Sequence, residues 1–119
     1  MLMGMQAVDI RENIGTPFII GAIDVNGTTY PVYRKIINFG ALPNNAEKKV
    51  ASGITPNCIL SLSGIATNTT NGFTQMIPNP NSEAAYTVTL TFNHSKEISI
   101  ITKSDRSSFD RTLITIDYY

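Results

Sequence analysis

Cysteine is nearly absent from this chain of 119 residues, and tryptophan is absent altogether. The single Cys58 leaves no disulfide framework to build within one chain and no cysteine-based zinc site. It opens the apolar run Cys58-Ile59-Leu60, which predicts a buried, inert thiol. Histidine, the usual proton shuttle near neutral pH, occurs once, as His94, in a stretch that reads as a hairpin turn. There is no nucleophile elbow, no phosphate-cradling glycine loop and no paired-histidine metal motif. No apolar run approaches the ~18 residues that a membrane-spanning helix needs. Met1 to Met5 lacks the basic start and apolar core of a signal peptide. The expectation is a soluble chain made in the cytoplasm, with no catalytic residues, no metal and no cofactor.

Charge is scarce too. Only 15% of residues are charged, with nine basic and nine acidic side chains cancelling to a formal net charge of zero. A duplex-binding domain needs a clustered basic excess, because phosphate neutralisation supplies most of its affinity. Here the adjacent basic pairs are Arg34-Lys35 and Lys48-Lys49, so nucleic acid is not an expected partner. A neutral chain lacks the self-repulsion that keeps proteins apart, which favours self-association. Polarity comes instead from Thr, Ser and Asn, residues that suit exposed strand faces and turns and make poor helix interiors.

What is present is period two. Tyr86-Thr87-Val88-Thr89-Leu90-Thr91-Phe92 alternates large apolar side chains with threonines, the pattern of a half-buried antiparallel strand. Ile114-Thr115-Ile116-Asp117-Tyr118 repeats it, with Tyr118 continuing the inward face. Leu60-Ser61-Leu62-Ser63 gives a third case, with the small hydroxyls outside. Asn26-Gly27 is a strong hairpin signal, since a type I′ turn needs two residues that tolerate positive φ. It should join strands near Phe18–Ile23 and Thr29–Phe39. Asn93-His94-Ser95 should join Phe92 to a strand over Glu97–Thr102. Pro43-Asn44-Asn45, Pro56-Asn57 and Pro78-Asn79-Pro80-Asn81 mark further loops. The sequons at Asn26, Asn68 and Asn93 read as turns. A helical period is weak everywhere; the best candidate is Met5 to Ile14.

Seven or eight short strands spaced near ten residues predict an all-β, antiparallel β-sandwich of jelly-roll type with little or no helix, over residues 17–119. Residues 1–16 read as a connecting segment, where a longer fibre could attach. One domain of this size buries roughly two-thirds of its unfolded surface and needs no covalent staple.

Two stretches carry a likeness. The first runs Tyr30-Pro31-Val32-Tyr33-Arg34-Lys35-Ile36-Ile37-Asn38-Phe39-Gly40-Ala41-Leu42-Pro43-Asn44 and continues through Lys49-Val50-Ala51-Ser52-Gly53-Ile54. The second is Ile98-Ser99-Ile100-Ile101-Thr102-Lys103-Ser104-Asp105-Arg106-Ser107-Ser108-Phe109, followed by a strand ending in two tyrosines. Together with Asp24, Asn26-Gly27 and Ser63-Gly64-Ile65-Ala66, in that order and spacing, they resemble a C-terminal domain of tail-fibre, head-fibre and minor structural proteins of phages and prophages. The likeness covers about residues 24–119, and departs from the family at Ser52, where the family often carries His. It implies a β-sandwich at a fibre tip of a virion. It also implies a homotrimer that contacts a host-surface polysaccharide or another virion protein without catalysis. A head-decoration or baseplate module is the alternative; a small polysaccharide depolymerase would need a catalytic constellation.

Several residues are candidates for specific roles. Arg34 is a candidate for a paired guanidinium with Asp105 as partner, while Ser104-Asp105-Arg106-Ser107-Ser108 equally suits a turn that caps its own backbone. Asp105 and Asp110 are the nearest carboxylate pair, and ion pairing to Arg106 and Arg111 is the alternative to catalysis. Two loops, Thr67 to Gln75 and Pro78 to Glu83, could carry recognition. Asn68, Asn71 and Phe73 combine amide hydrogen bonding with an aromatic surface, as sugar sites do; Phe73 in the core or a subunit interface is the competing reading. Tyr119 is a candidate contact of the same kind.

Overall fold

In a computed structural model the described residues are 14–119. All but Ile14 of the helical candidate over 5–14, and most of the connecting segment 1–16, lie outside them; Ile14 itself forms a β-bridge with Ile36. Eight strands follow in order: β1 (Phe18–Val25), β2 (Thr28–Asn38), β3 (Glu47–Ala51), β4 (Ile59–Thr67), β5 (Thr74–Ile77), β6 (Val88–Phe92), β7 (Glu97–Thr102) and β8 (Arg111–Tyr118). One short 3-10 turn, Ala84–Tyr86, interrupts them.

The strands form two antiparallel sheets, of five strands in the order β1-β2-β8-β4-β5 and of three in the order β3-β7-β6. The pairings are nested, β2 with β8 and β3 with β7, as when a long hairpin is rolled over on itself. The predicted all-β class is what the chain adopts. The two sheets share one core: Ile37, Ile77, Ile114, Ile116 and Tyr118 from the larger meet Val88, Ile98 and Ile100 from the smaller. Each fully buried isoleucine there contributes about 1.5–3 kcal/mol relative to an exposed one.

Turn chemistry sets the hairpins. Asn26 and Gly27 both take positive φ, at 51° and 83°, so the β1–β2 turn is of the twisted kind that Asn-Gly favours. The register between β2 and β8 follows from two mirrored dipeptides. Antiparallel pairing of Tyr33-Arg34 with Asp117-Tyr118 sets tyrosine opposite tyrosine and arginine opposite aspartate.

Local departures from strict alternation have identifiable causes. A bulge between Ile59 and Ser61 turns Leu60 out to solvent, against the expectation from Leu60-Ser61-Leu62-Ser63. Cys58 precedes that bulge and is exposed, not buried. Its backbone is held by pairing with Tyr119, whose oxygen accepts the Cys58 N–H at 3.0 Å. Tyr86 ends the 3-10 turn and is exposed, so the inward face of β6 begins at Val88.

The basic pairs are drawn into the frame. Arg34 donates through Nε and Nη2 to both Asp117 carboxylate oxygens, at 2.7 and 2.9 Å. Lys35 Nζ donates to the Ser52 carbonyl at 2.6 Å, and Lys48 Nζ to the carbonyls of Phe39 and Ala41 at 3.0 and 2.9 Å. Lys49 lies 3.8 Å from Glu47.

Candidate functional site

The candidate residues divide between the two ends of the sandwich. The β4–β5 hairpin brings Asn68, Asn71 and Phe73 together at one end. Asn68 Oδ1 accepts the Thr70 N–H at 3.0 Å and Asn71 Oδ1 accepts the Phe73 N–H at 2.9 Å. Both side-chain carbonyls therefore shape the turn. Phe73 is 70% exposed, which removes the core reading for it. Gln75 lies within β5, so the connecting loop is shorter than predicted.

Asp110, the residue before β8, braces this hairpin. It accepts the Thr69 N–H at 2.9 Å and the Thr69 hydroxyl at 2.5 Å. Those two bonds, the hydroxyl foremost, hold its carboxyl below the usual aspartate range. Arg106 stacks over Phe109 and Tyr86, at 4.9 and 5.6 Å from the ring centroids, and its Nη2 donates to Gln75 Oε1 at 2.7 Å.

Asp105 is not the partner of Arg34. The register of β2 on β8 sets Asp117 directly opposite Arg34, whereas Asp105 sits in the loop that follows β7. Its carboxylate accepts the Ser107 hydroxyl at 2.6 Å and the Ser107 N–H at 3.0 Å, bonds that lower its pKa. The self-capping turn is the arrangement observed. Hydrogen bonds to Ser107 and Thr69, rather than ion pairs to Arg106 and Arg111, are what engage Asp105 and Asp110.

Tyr119 lies at the opposite end, tilted against Tyr30 with ring centroids 5.1 Å apart. Its neighbour Tyr118 is in the core, stacked on Tyr33 at 5.7 Å, and burial pushes its phenol pKa up. Beside Tyr119 opens a cleft of about 350 Å³. One wall is Pro56, Asn57, Cys58 and Ile59; the other is Phe92, Asn93, His94 and Lys96. The cleft therefore lies between the segment leading into β4 of the larger sheet and the β6–β7 turn of the smaller. Sequence reasoning passed over it because its walls come from two separate turns, each unremarkable alone.

A buried serine holds that end together. Ser52 is fully buried. Its hydroxyl and its N–H both donate to the Lys96 carbonyl, at 2.6 and 3.0 Å, and its oxygen accepts the Ile54 N–H at 3.3 Å. Lys96 takes φ of 60°, a conformation that a residue with a Cβ adopts at a cost. The Ser52 contacts hold it there.

A third feature is a face rather than an end. On the outer side of the five-stranded sheet, Ile36, Leu113, Ile65 and Met76 come from four strands. Ile65 is directly paired with both Leu113 and Met76. They line a shallow depression of about 270 Å³ with Ser63 and Thr115. Met76 is 73% and Ile65 46% exposed. Charge borders this patch on both sides: the internally neutralised Arg34–Asp117 pair on one, and the exposed Arg111, two residues before Leu113 on β8, on the other.

Among the described residues no group of three or more His, Cys, Asp or Glu is placed to hold a metal ion. Nor is any helix there long and apolar enough to cross a membrane. Searches against protein-family models, curated proteins and solved structures return no match to this chain.

Proposed function

We propose that this chain is the tip domain of a bacteriophage fibre: a non-catalytic homotrimer that adheres to host-surface polysaccharide. The observation that carries the reading is the apolar patch on the outer face of the five-stranded sheet. A monomer would leave Met76, Ile65, Leu113 and Ile36 against water, and contiguous apolar patches of this kind mark interaction surfaces. A chain of zero net charge meets its own copies without repulsion. The stretches that resemble fibre proteins support the same reading, since they form β2, β3, β7 and the loops at both ends.

The mechanism is multivalent capture. Three weak sites on one rigid trimer give an avidity far above the affinity of any one of them. Light scattering on a size-exclusion column at micromolar concentration tests it. The expected result is a trimeric mass that falls to a folded monomer in Met76→Asp or Ile65→Asp, since a charge on that face opposes assembly without entering the core. A wild-type monomer, or a trimer indifferent to both substitutions, refutes assembly through this face. Retention on virion components and not on bacterial cells would favour a decoration or baseplate module instead.

A further inference from the structure

We infer that the cleft between Asn57 and Lys96 is the saccharide subsite, and that it takes a sugar bearing a carboxylate. The inference rests on the adhesive reading above and deepens it, placing the binding chemistry at the Tyr119 end rather than at the Phe73 hairpin.

The donor and acceptor inventory of the cleft points to this class. Lys96 brings three ammonium donors, His94 a ring N–H and Asn57 an amide. Among the described residues none of these three side chains makes a hydrogen bond or ion pair to the protein. Three acceptors nearby are engaged by the protein itself, while the Asn57 side-chain carbonyl and the second ring nitrogen of His94 stay open. Asn93 Oδ1 takes the Glu97 N–H at 3.0 Å, and Glu97 Oε1 takes the Asn93 Nδ2–H at 3.2 Å. The Tyr119 backbone oxygen takes the N–H groups of Asn57 and Cys58, at 2.7 and 3.0 Å.

The Lys96 ammonium, with no carboxylate partner among the described residues, favours an anionic oxygen ligand over a neutral polyol, because charge-assisted hydrogen bonds are roughly twice as strong as neutral ones. The apolar wall of Pro56, Ile59 and Phe92 suits the C–H face of a pyranose ring.

The position of Lys96 adds weight. The left-handed backbone at that turn is one that glycine or asparagine occupies at little cost, yet a lysine stands there. Ser52, fully buried, fixes its carbonyl with two hydrogen bonds. The side chain is thus presented at the cleft from an anchored backbone, which lowers the entropy lost when a ligand binds.

Methyl β-D-glucuronide and its neutral counterpart, methyl β-D-glucoside, test this by titration into the ¹⁵N-labelled full chain. The expected result is movement of the Asn57, Cys58, His94 and Lys96 amide signals with the glucuronide, at least about tenfold weaker with the glucoside. Lys96→Met should weaken glucuronide binding about tenfold or more, and Lys96→Arg should retain most of it. Unmoved signals at millimolar glucuronide, or equal response to both sugars, overturn the inference. If the chain holds to bacterial cells while the glucuronide leaves these amides unmoved, the subsite falls and the adhesive reading stands. If the glucuronide binds there while the chain ignores every cell type in a panel, the subsite stands and the adhesive reading falls.

Discussion

Replacing Gly64 by alanine should destabilise the fold, although alanine is usually the better residue. Gly64 sits in the middle of β4, between Ile114 of β8 and Ile77 of β5. A Cβ at this position would stand 2.5 Å from Ile114 Cδ1 and 2.9 Å from the Leu113 carbonyl oxygen. The Ile114 methyl could swing away only into a core where that side chain is fully buried. The carbonyl belongs to the β8 backbone and has less freedom still. Overpacking of this kind costs about 1–3 kcal/mol. Against it stands the lower entropy of the unfolded chain, worth about 0.4–1 kcal/mol in favour of alanine. The net loss is about 1–2 kcal/mol, which for a domain of this size lowers Tm by about 4–8 °C. Differential scanning calorimetry reads the shift directly. Gly21→Ala is the internal control. Nothing lies within 4 Å of its added Cβ, so its Tm should stay level or rise slightly. If Gly64→Ala melts at or above wild type, β4 does not press on β8 as described, and the reasoning fails.

Three further outcomes follow from named contacts. Ser52→Ala removes the hydroxyl that donates to Lys96 and accepts from the buried Ile54 N–H; the orphaned donor should cost about 1–3 kcal/mol by denaturant titration, and the freed Lys96 turn should weaken ligand binding as well. Asp117→Asn breaks the bidentate pair with Arg34; with the side chains 39% and 17% exposed, solvent screening limits the loss to about 1 kcal/mol, whereas Asp105→Ala leaves that pair intact and should melt close to wild type. The Asp110 carboxyl is held low by Thr69, so its contribution is present above the unfolded pKa of about 3.9 and is lost as pH falls through the lower folded value; Asp110→Asn should flatten the acid limb of a Tm-against-pH curve below about pH 4, and an unchanged limb would show that the Thr69 bonds do not count.

Much of the frame can be read from residues because it depends on local chemistry. Val88 to Phe92 and Ile114 to Tyr118 alternate and are strands, and Asn26-Gly27 turns as that dipeptide does. Strands β3 and β5 are harder to read. Glu47-Lys48-Lys49-Val50-Ala51 carries little apolar alternation because it is an edge strand, and Lys48 spends its charge on the carbonyls of Phe39 and Ala41. Bulges are equally silent: a one-residue slip at Leu60 reverses which face a side chain takes, and nothing in Cys58-Ile59-Leu60 announces it. The Arg34 partner was legible in principle, since Tyr33-Arg34 and Asp117-Tyr118 mirror one another, but only once β2 and β8 are known to be neighbours. The cleft is less legible still, because its walls meet only when both sheets are folded.

The outer face and the cleft share no residue, and this separation permits a test of how the two would work together. Met76 lies on edge strand β5 with its side chain facing away from the core, so Met76→Asp should leave the Lys96 turn and its Ser52 anchor undisturbed. The monomeric variant should then bind a soluble glucuronide with wild-type affinity, because the residues of the proposed subsite all come from one chain. On a surface coated with acidic polysaccharide the outcome differs. There the proposed trimer would gain from rebinding at linked sites, and losing that linkage should weaken apparent binding by about 10²–10⁴-fold. Surface plasmon resonance on the polysaccharide, set beside solution titration with the monosaccharide, separates the two quantities. Equal loss in both assays would mean that the subsite is completed by a neighbouring copy; no loss in either would mean that assembly through this face contributes nothing to capture.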